Sequence, residues 1–136
     1  MSVSGDILHA GHAMGPTLVL SEPLSFWGAF DPRTGNIVDV HHPQRGACLA
    51  GKILLLPETR GSGGTPGGIA EAIRLNTAPR GIILMTPDIN LAIGASVAKT
   101  LYTRDCPIIV VAAVDFAALT TAQTITIAID GTVSAL

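Results

Sequence analysis

Hydrophobic periodicity changes character near Gly51. Downstream of it, apolar residues arrive in short unbroken runs: Lys52-Ile53-Leu54-Leu55-Leu56, Gly81-Ile82-Ile83-Leu84-Met85, and Ile108 to Ala112. Runs of that length, bounded by Gly or Pro, predict strands buried on both faces. Between the first two, Ile69, Ala72, Ile73 and Leu75 fall on one side of a helix, with Thr65 as the expected N-cap and Pro66 as its first residue. A second helix is predicted over Ile93 to Leu101, and a short helical turn around Asp115 to Leu119. The alternation of Thr and Ile from Thr124 to Ile129 predicts a closing strand with one wet face.

The upstream half reads differently. Ser2 to Ala13 is polar and punctuated by glycine, which suits an edge strand or a loop, and Thr17 to Leu20 is a short strand closed by Ser21-Glu22-Pro23. Phe26, Trp27 and Phe30 cluster in the most aromatic stretch. Asp31-Pro32-Arg33-Thr34-Gly35-Asn36 is a turn by composition, Ile37 to Val40 is extended, and His41 to Gly46 is a second loop. Strand and loop followed by strands alternating with helices predict an α/β fold, a layered β/β/α domain with right-handed crossovers. No repeat or linker divides the chain, so residues 1–136 are expected to form one domain.

Composition adds a partner to this picture. The chain is 48% hydrophobic and only 13% charged, about half the usual charged share of roughly 25%. Such a chain folds, and part of its surface is expected to face another protein. The eight Lys and Arg residues are scattered, the net charge is −2, and aromatics make up 4%. Clustered cations and stacking platforms are both missing, which argues against nucleic acid as a ligand. The first residues lack the basic-then-apolar pattern of a signal peptide, and no apolar run reaches the ~18 residues of a membrane span. The cytoplasm is the expected location. Cys48 and Cys106 form neither a disulfide framework nor a C-x-x-C motif, and each is expected as a small buried hydrophobe.

The segment best suited to chemistry is Arg60-Gly61-Ser62-Gly63-Gly64-Thr65-Pro66-Gly67-Gly68. It follows a buried strand and precedes a helix, so its backbone N–H groups can face an anion. Its glycines allow close backbone approach. Ser62 would present a hydroxyl near the positive end of the helix, with Arg60 beside it. A hydroxyl so placed can bind a carboxylate, or act as a base if its alkoxide is stabilised. The spacing matches neither phosphate fingerprint, and no G-x-S-x-G frame surrounds Ser62. His41 and His42 are adjacent, so in an extended stretch they point opposite ways, and no supporting carboxylate or thiol stands at metal-ligand spacing. No metal site is expected on this chain. Asp31, Asp39, Asp88 and Asp115 read as turn or cap residues, and the Phe26-Trp27 pair as core or interface.

Pro23-Leu24-Ser25-Phe26-Trp27-Gly28-Ala29, Asp31-Pro32, Thr34-Gly35 and His42-Pro43 together resemble the small-subunit family of aconitase X. Leu56-Pro57, Arg60-Gly61-Ser62 and Ala78-Pro79 continue the resemblance over nearly the whole chain. The family reads P-L-S-F-W-G-G at the aromatic motif, so Ala29 departs from it. It often has a second serine after R-G-S, where Gly63 stands here. The resemblance implies a domain like the aconitase swivelling domain, paired as a separate chain with a large subunit. It implies dehydration of a small hydroxy acid, with Ser62 as the base; Arg60, Gly61, Gly63 and Gly64, which share its loop, are expected around the substrate. It also implies an iron or iron–sulfur centre on the large subunit, acting as a Lewis acid on the leaving hydroxyl. Two separated thiols agree, being too few for cluster ligation on this chain.

Within that family the substrates include cis-3-hydroxy-L-proline, which yields 1-pyrroline-2-carboxylate, and mevalonate 5-phosphate. Only two lysines, Lys52 and Lys99, are present. A hyperthermophile is usually richer in Lys and Glu, so the composition leans toward a mesophilic host and the hydroxyproline reaction. Two other readings keep the fold and change the role. One is a stand-alone carboxylate-binding module; the other is a phosphotransfer domain carrying phosphate on His41 or His42.

Overall fold

A computed structural model describes residues 1–61 and 63–136. Among the described residues ten strands and three helices follow one another. The strands are β1 (Ser2–Ser4), β2 (Asp6–His9), β3 (Ala13–Val19), β4 (Phe30–Asp31), β5 (Asn36–Ile37), β6 (Ile53–Leu56), β7 (Gly81–Leu84), β8 (Ile108–Val110), β9 (Thr124–Ile127) and β10 (Thr132–Ala135). The helices are α1 (Thr65–Leu75), α2 (Ile89–Tyr102) and α3 (Ala113–Leu119). Eight strands hydrogen-bond in the order β1-β10-β9-β3-β6-β7-β8-β2, and β4 and β5 form a separate hairpin.

The four strands β3, β6, β7 and β8 pair in parallel, and the strands outside them pair antiparallel. Strands β1 and β2 lie at opposite ends of this order, yet only Gly5 separates them in sequence. The sheet therefore curls until its two ends meet at Gly5, whose N donates to Gly131 O at 3.1 Å and extends the β1–β10 ladder up to the join. Curling gives the sheet an inside and an outside, and the unbroken apolar runs supply both. Ile53, Leu55, Ile83 and Ile109 pack inside with Ile125, Ile127 and Val133, closed by Phe116 and Leu119 of α3. Leu54, Leu56, Ile82, Leu84 and Ile108 face outward under α1 and α2. Two β layers under one helical layer result, the β/β/α arrangement expected from the sequence.

Several local differences have simple causes. Helix α2 begins at Ile89, four residues before the expected start, because Asp88 caps it, accepting from Asn90 N at 2.8 Å. Thr65 does not cap α1: Gly64 holds that position, and Thr65 is buried inside the first turn. Leu75, expected on the buried side of α1, is 37% exposed, while Ile69, Ala72 and Ile73 are buried. Strand β10 was not anticipated; its turn is set by Asp130, whose Oδ1 accepts from Thr132 N at 3.0 Å. Cys106 is buried as expected, but Cys48 is exposed, because it lies in the loop between β5 and β6 outside both packed layers.

Candidate functional site

Parallel strands that run into helices leave their C-terminal ends beside helix N-termini, the usual place for a ligand in such sheets. Here Pro57 to Gly64 leaves the end of β6 and enters α1. The base of this loop is well anchored. Met85 N and Thr86 N both donate to Pro57 O, at 3.1 and 3.2 Å, and Arg60 N donates to Leu24 O at 2.9 Å. The Thr59 hydroxyl donates to Asp88 Oδ2, so the loop after β6 is tied to the residue that caps α2.

Beyond this anchored base the loop opens. Arg60 is exposed and makes no ion pair among the described residues. Gly61 and Gly63 are exposed, with open space where a side chain would stand. Ser62, the expected base, lies outside the described residues. Arg60, Gly61, Gly63 and Gly64 thus do lie on one loop at the start of α1. Among the described residues that helix has no side-chain cap and no acidic residue in its first turn, so local carboxylates do not offset its positive end. Inside that turn, Thr65 Oγ1 is buried with no partner among the described residues.

The aromatic motif adjoins this loop, and its two aromatics part ways. Phe26 is buried and meets Phe30 edge-on, ring centroids 5.2 Å apart. Trp27 is 61% exposed. Its indole lies against Gly64: a Cβ there would come within 2.3 Å of the ring. A Cβ on Gly68 would come within 2.1 Å of Phe26 O, so the motif's backbone rests directly on α1. Ser25 fixes the turn, its Oγ accepting from Trp27 N at 3.2 Å and donating to Trp27 O at 3.0 Å.

The histidines are not gathered into a site. His42 is buried: Gln44 N donates to its Nδ1 at 3.1 Å, so Nε2 carries the proton and faces Glu22 O at 3.4 Å. That ring is a structural brace, whereas His41 is exposed. His9 sits near Asp105 and Lys99; burial of its ring lowers its pKa, against the opposing pull of the Asp105 charge. Asp105 is itself held low, chiefly by Lys99 Nζ at 2.5 Å. Burial pushes the Cys106 thiol up to about 12. Among the described residues no three His, Cys, Asp or Glu side chains group as metal ligands, and no helix is long and apolar enough to cross a membrane.

Sequence reasoning singles out the loop and the aromatic motif, and reads Asp88 as a turn or cap residue. It missed the Thr59–Asp88 tie and the placement of Trp27 on Gly64, because both join segments distant in the sequence.

A curled mixed sheet covered by helices on one side, with a glycine-rich loop at the ends of its parallel strands, defines a swivelling β/β/α domain. The chain belongs to the aconitase X swivel-domain family, whose model matches residues 2–135. It is 44% identical over 101 residues to the cis-3-hydroxy-L-proline dehydratase of Pseudomonas aeruginosa, a match covering 74% of this chain and 17% of that protein. It is 39% identical over 98 residues to the phosphomevalonate dehydratase small subunit of Methanothermobacter thermautotrophicus, covering 72% and 75% of the two chains. The chain thus spans about a fifth of the hydroxyproline dehydratases it matches and most of the phosphomevalonate small subunits. Its fold superposes on a chain of Thermococcus kodakaraensis aconitase X in the holo-form with a TM-score of 0.84, at 29% identity, covering 100% of this chain and 98% of that one. A UPF0107 protein solved by solution NMR gives 0.86 at 25% identity, covering 100% and 99%.

Proposed function

We propose that this chain is the small subunit of a two-chain hydro-lyase, and that its substrate is cis-3-hydroxy-L-proline. The observation that carries the reading is a loop anchored at Pro57 and Arg60, open at Gly61 and Gly63, and leading from the end of a parallel strand to the start of α1. In this reading Arg60 and the loop amides hold the substrate carboxylate. Ser62 takes the proton from the carbon next to it as hydroxide leaves the neighbouring carbon, and the product settles as 1-pyrroline-2-carboxylate. The positive end of α1 favours the charge that develops on the serine oxygen.

The described residues of this chain offer no donor set for iron. We assign the iron or iron–sulfur centre to the large subunit, and no step on this chain passes through it. The 44% identity to a hydroxyproline dehydratase favours that substrate. Arg60 is the single cation between Pro57 and Gly68, which suits one carboxylate better than a carboxylate plus a phosphate. Mevalonate 5-phosphate is the second candidate, supported by the match to small subunits of similar length. The cytoplasm is the compartment in which we place the enzyme.

The test is co-expression with an aconitase X large subunit from the same genome and a dehydration assay on both substrates. Turnover of cis-3-hydroxy-L-proline only with both chains, abolished by Ser62→Ala in an intact complex, is the expected result. Turnover of mevalonate 5-phosphate instead would change the substrate and keep the class. Near-normal activity of Ser62→Ala would overturn the base assignment. Carboxylate binding by the isolated chain, without association, would make it a stand-alone module.

A further inference from the structure

Beside the loop, an apolar cleft lies under Trp27. It has a volume of about 490 Å³ and is walled by Phe26, Trp27, Phe30, Pro32, Gly67 and Glu71. Its one charged wall residue, Glu71, is already engaged by Arg74 Nε at 2.5 Å. The indole is not a loose surface group. Ser25 clamps its backbone, and Gly64 and Gly68 let the motif lie flat on α1. A rigid, exposed tryptophan next to an apolar cleft is the makeup of an interface anchor.

Two further observations name the occupant. The Pseudomonas aeruginosa relative carries the matched segment as 17% of its length, so most of that protein is further chain outside this domain. The indole also lies on Gly64, the last residue of the candidate loop, so a chain that covers the loop covers the cleft as well. We infer that the Trp27 cleft receives an apolar side chain of the large subunit and is the anchor of the two-chain contact. This rests on the two-chain reading above. A second exposed apolar surface, the ridge of Ile89, Ile93, Val97 and Leu101 on α2, is the control surface.

The experiment measures the Kd between the separately purified chains. Trp27→Ala is expected to weaken association roughly thirtyfold, the effect of losing an interface anchor, and Leu101→Ser to leave it within about twofold. Gly67→Gln provides an independent variant. Gly67 is exposed with open space around it, so the new side chain fills the cleft while improving helix propensity. It is expected to keep the thermal midpoint and lose affinity. Trp27 is the only tryptophan of this chain. Labelled there with 5-fluorotryptophan, the chain should show one ¹⁹F resonance that shifts on adding the large subunit. Wild-type affinity in both Trp27→Ala and Gly67→Gln would overturn the anchor and leave the two-chain enzyme standing. Loss of affinity in Leu101→Ser alone would move the contact to α2. No association of the wild-type chains would overturn both readings.

Discussion

Asp88 holds two segments at once: its Oδ1 accepts the Asn90 amide at the start of α2, and its Oδ2 accepts the Thr59 hydroxyl from the loop after β6. One carboxylate thereby caps a helix and positions the base of the candidate loop. The loop can stay open at Gly61 and Gly63 because its root, from Pro57 to Arg60, is held by Asp88, Leu24, Met85 and Thr86.

Asp88→Ala removes both bonds. Loss of a helix cap alone costs about 1 kcal/mol, and the freed hydroxyl adds to it, so chemical denaturation should show a loss of about 1–2 kcal/mol. Thr59→Val should cost less, since it leaves the cap intact. An unchanged denaturation midpoint in Asp88→Ala would show that neither bond supports the fold.

The two thiols should react very differently. Cys48 is exposed, and Cys106 is buried with its pKa pushed up to about 12. Thiolates, not thiols, attack disulfide reagents. Titration of the native chain with such a reagent should release one equivalent quickly, and the second only on unfolding. Two fast equivalents would mean that the packing around Cys106 opens readily.

Stability should fall in two stages as the pH drops. The pKa of His9 is lowered from its ordinary 6.5, first by burial. The unfolded chain therefore binds that proton more readily, and the contribution is complete above about 6.5 and lost as the pH falls below it. Asp31, Asp105 and Asp130 are lowered from 3.8, chiefly by the Arg33 amide, by Lys99 and by the Thr132 amide respectively. Their contributions are present above 3.8 and lost as the pH falls through their lower folded values. Thermal midpoints measured from pH 8 to 3 should decline first below 6.5, and His9→Gln should remove that first decline only. An identical profile in the variant would rule out His9 as its source.

Much of the α/β layering is already written in local pattern. The unbroken runs at Ile53–Leu56 and Gly81–Leu84 need cover on both faces, and a strand-and-loop half followed by strands alternating with helices supplies sheet for one side and helices for the other. The Arg60–Gly68 composition likewise marks a turn between strand and helix wherever it occurs, and the aromatic motif together with Arg60-Gly61-Ser62 was enough to point to the family.

What the tertiary structure decided concerns contacts between distant segments. Nothing in Ser2 to His9 tells that β1 and β2 will close opposite ends of one curled sheet, because that depends on partners at residues 108–110 and 132–134. Nor does local pattern separate His41 from His42 or Phe26 from Trp27. In each pair one side chain is buried and its neighbour exposed, and which is which follows from what packs against them: Glu22 and Gln44 around His42, and Phe30 against Phe26. Side-chain periodicity fixes that neighbours diverge; only the folded chain determines which one meets the core.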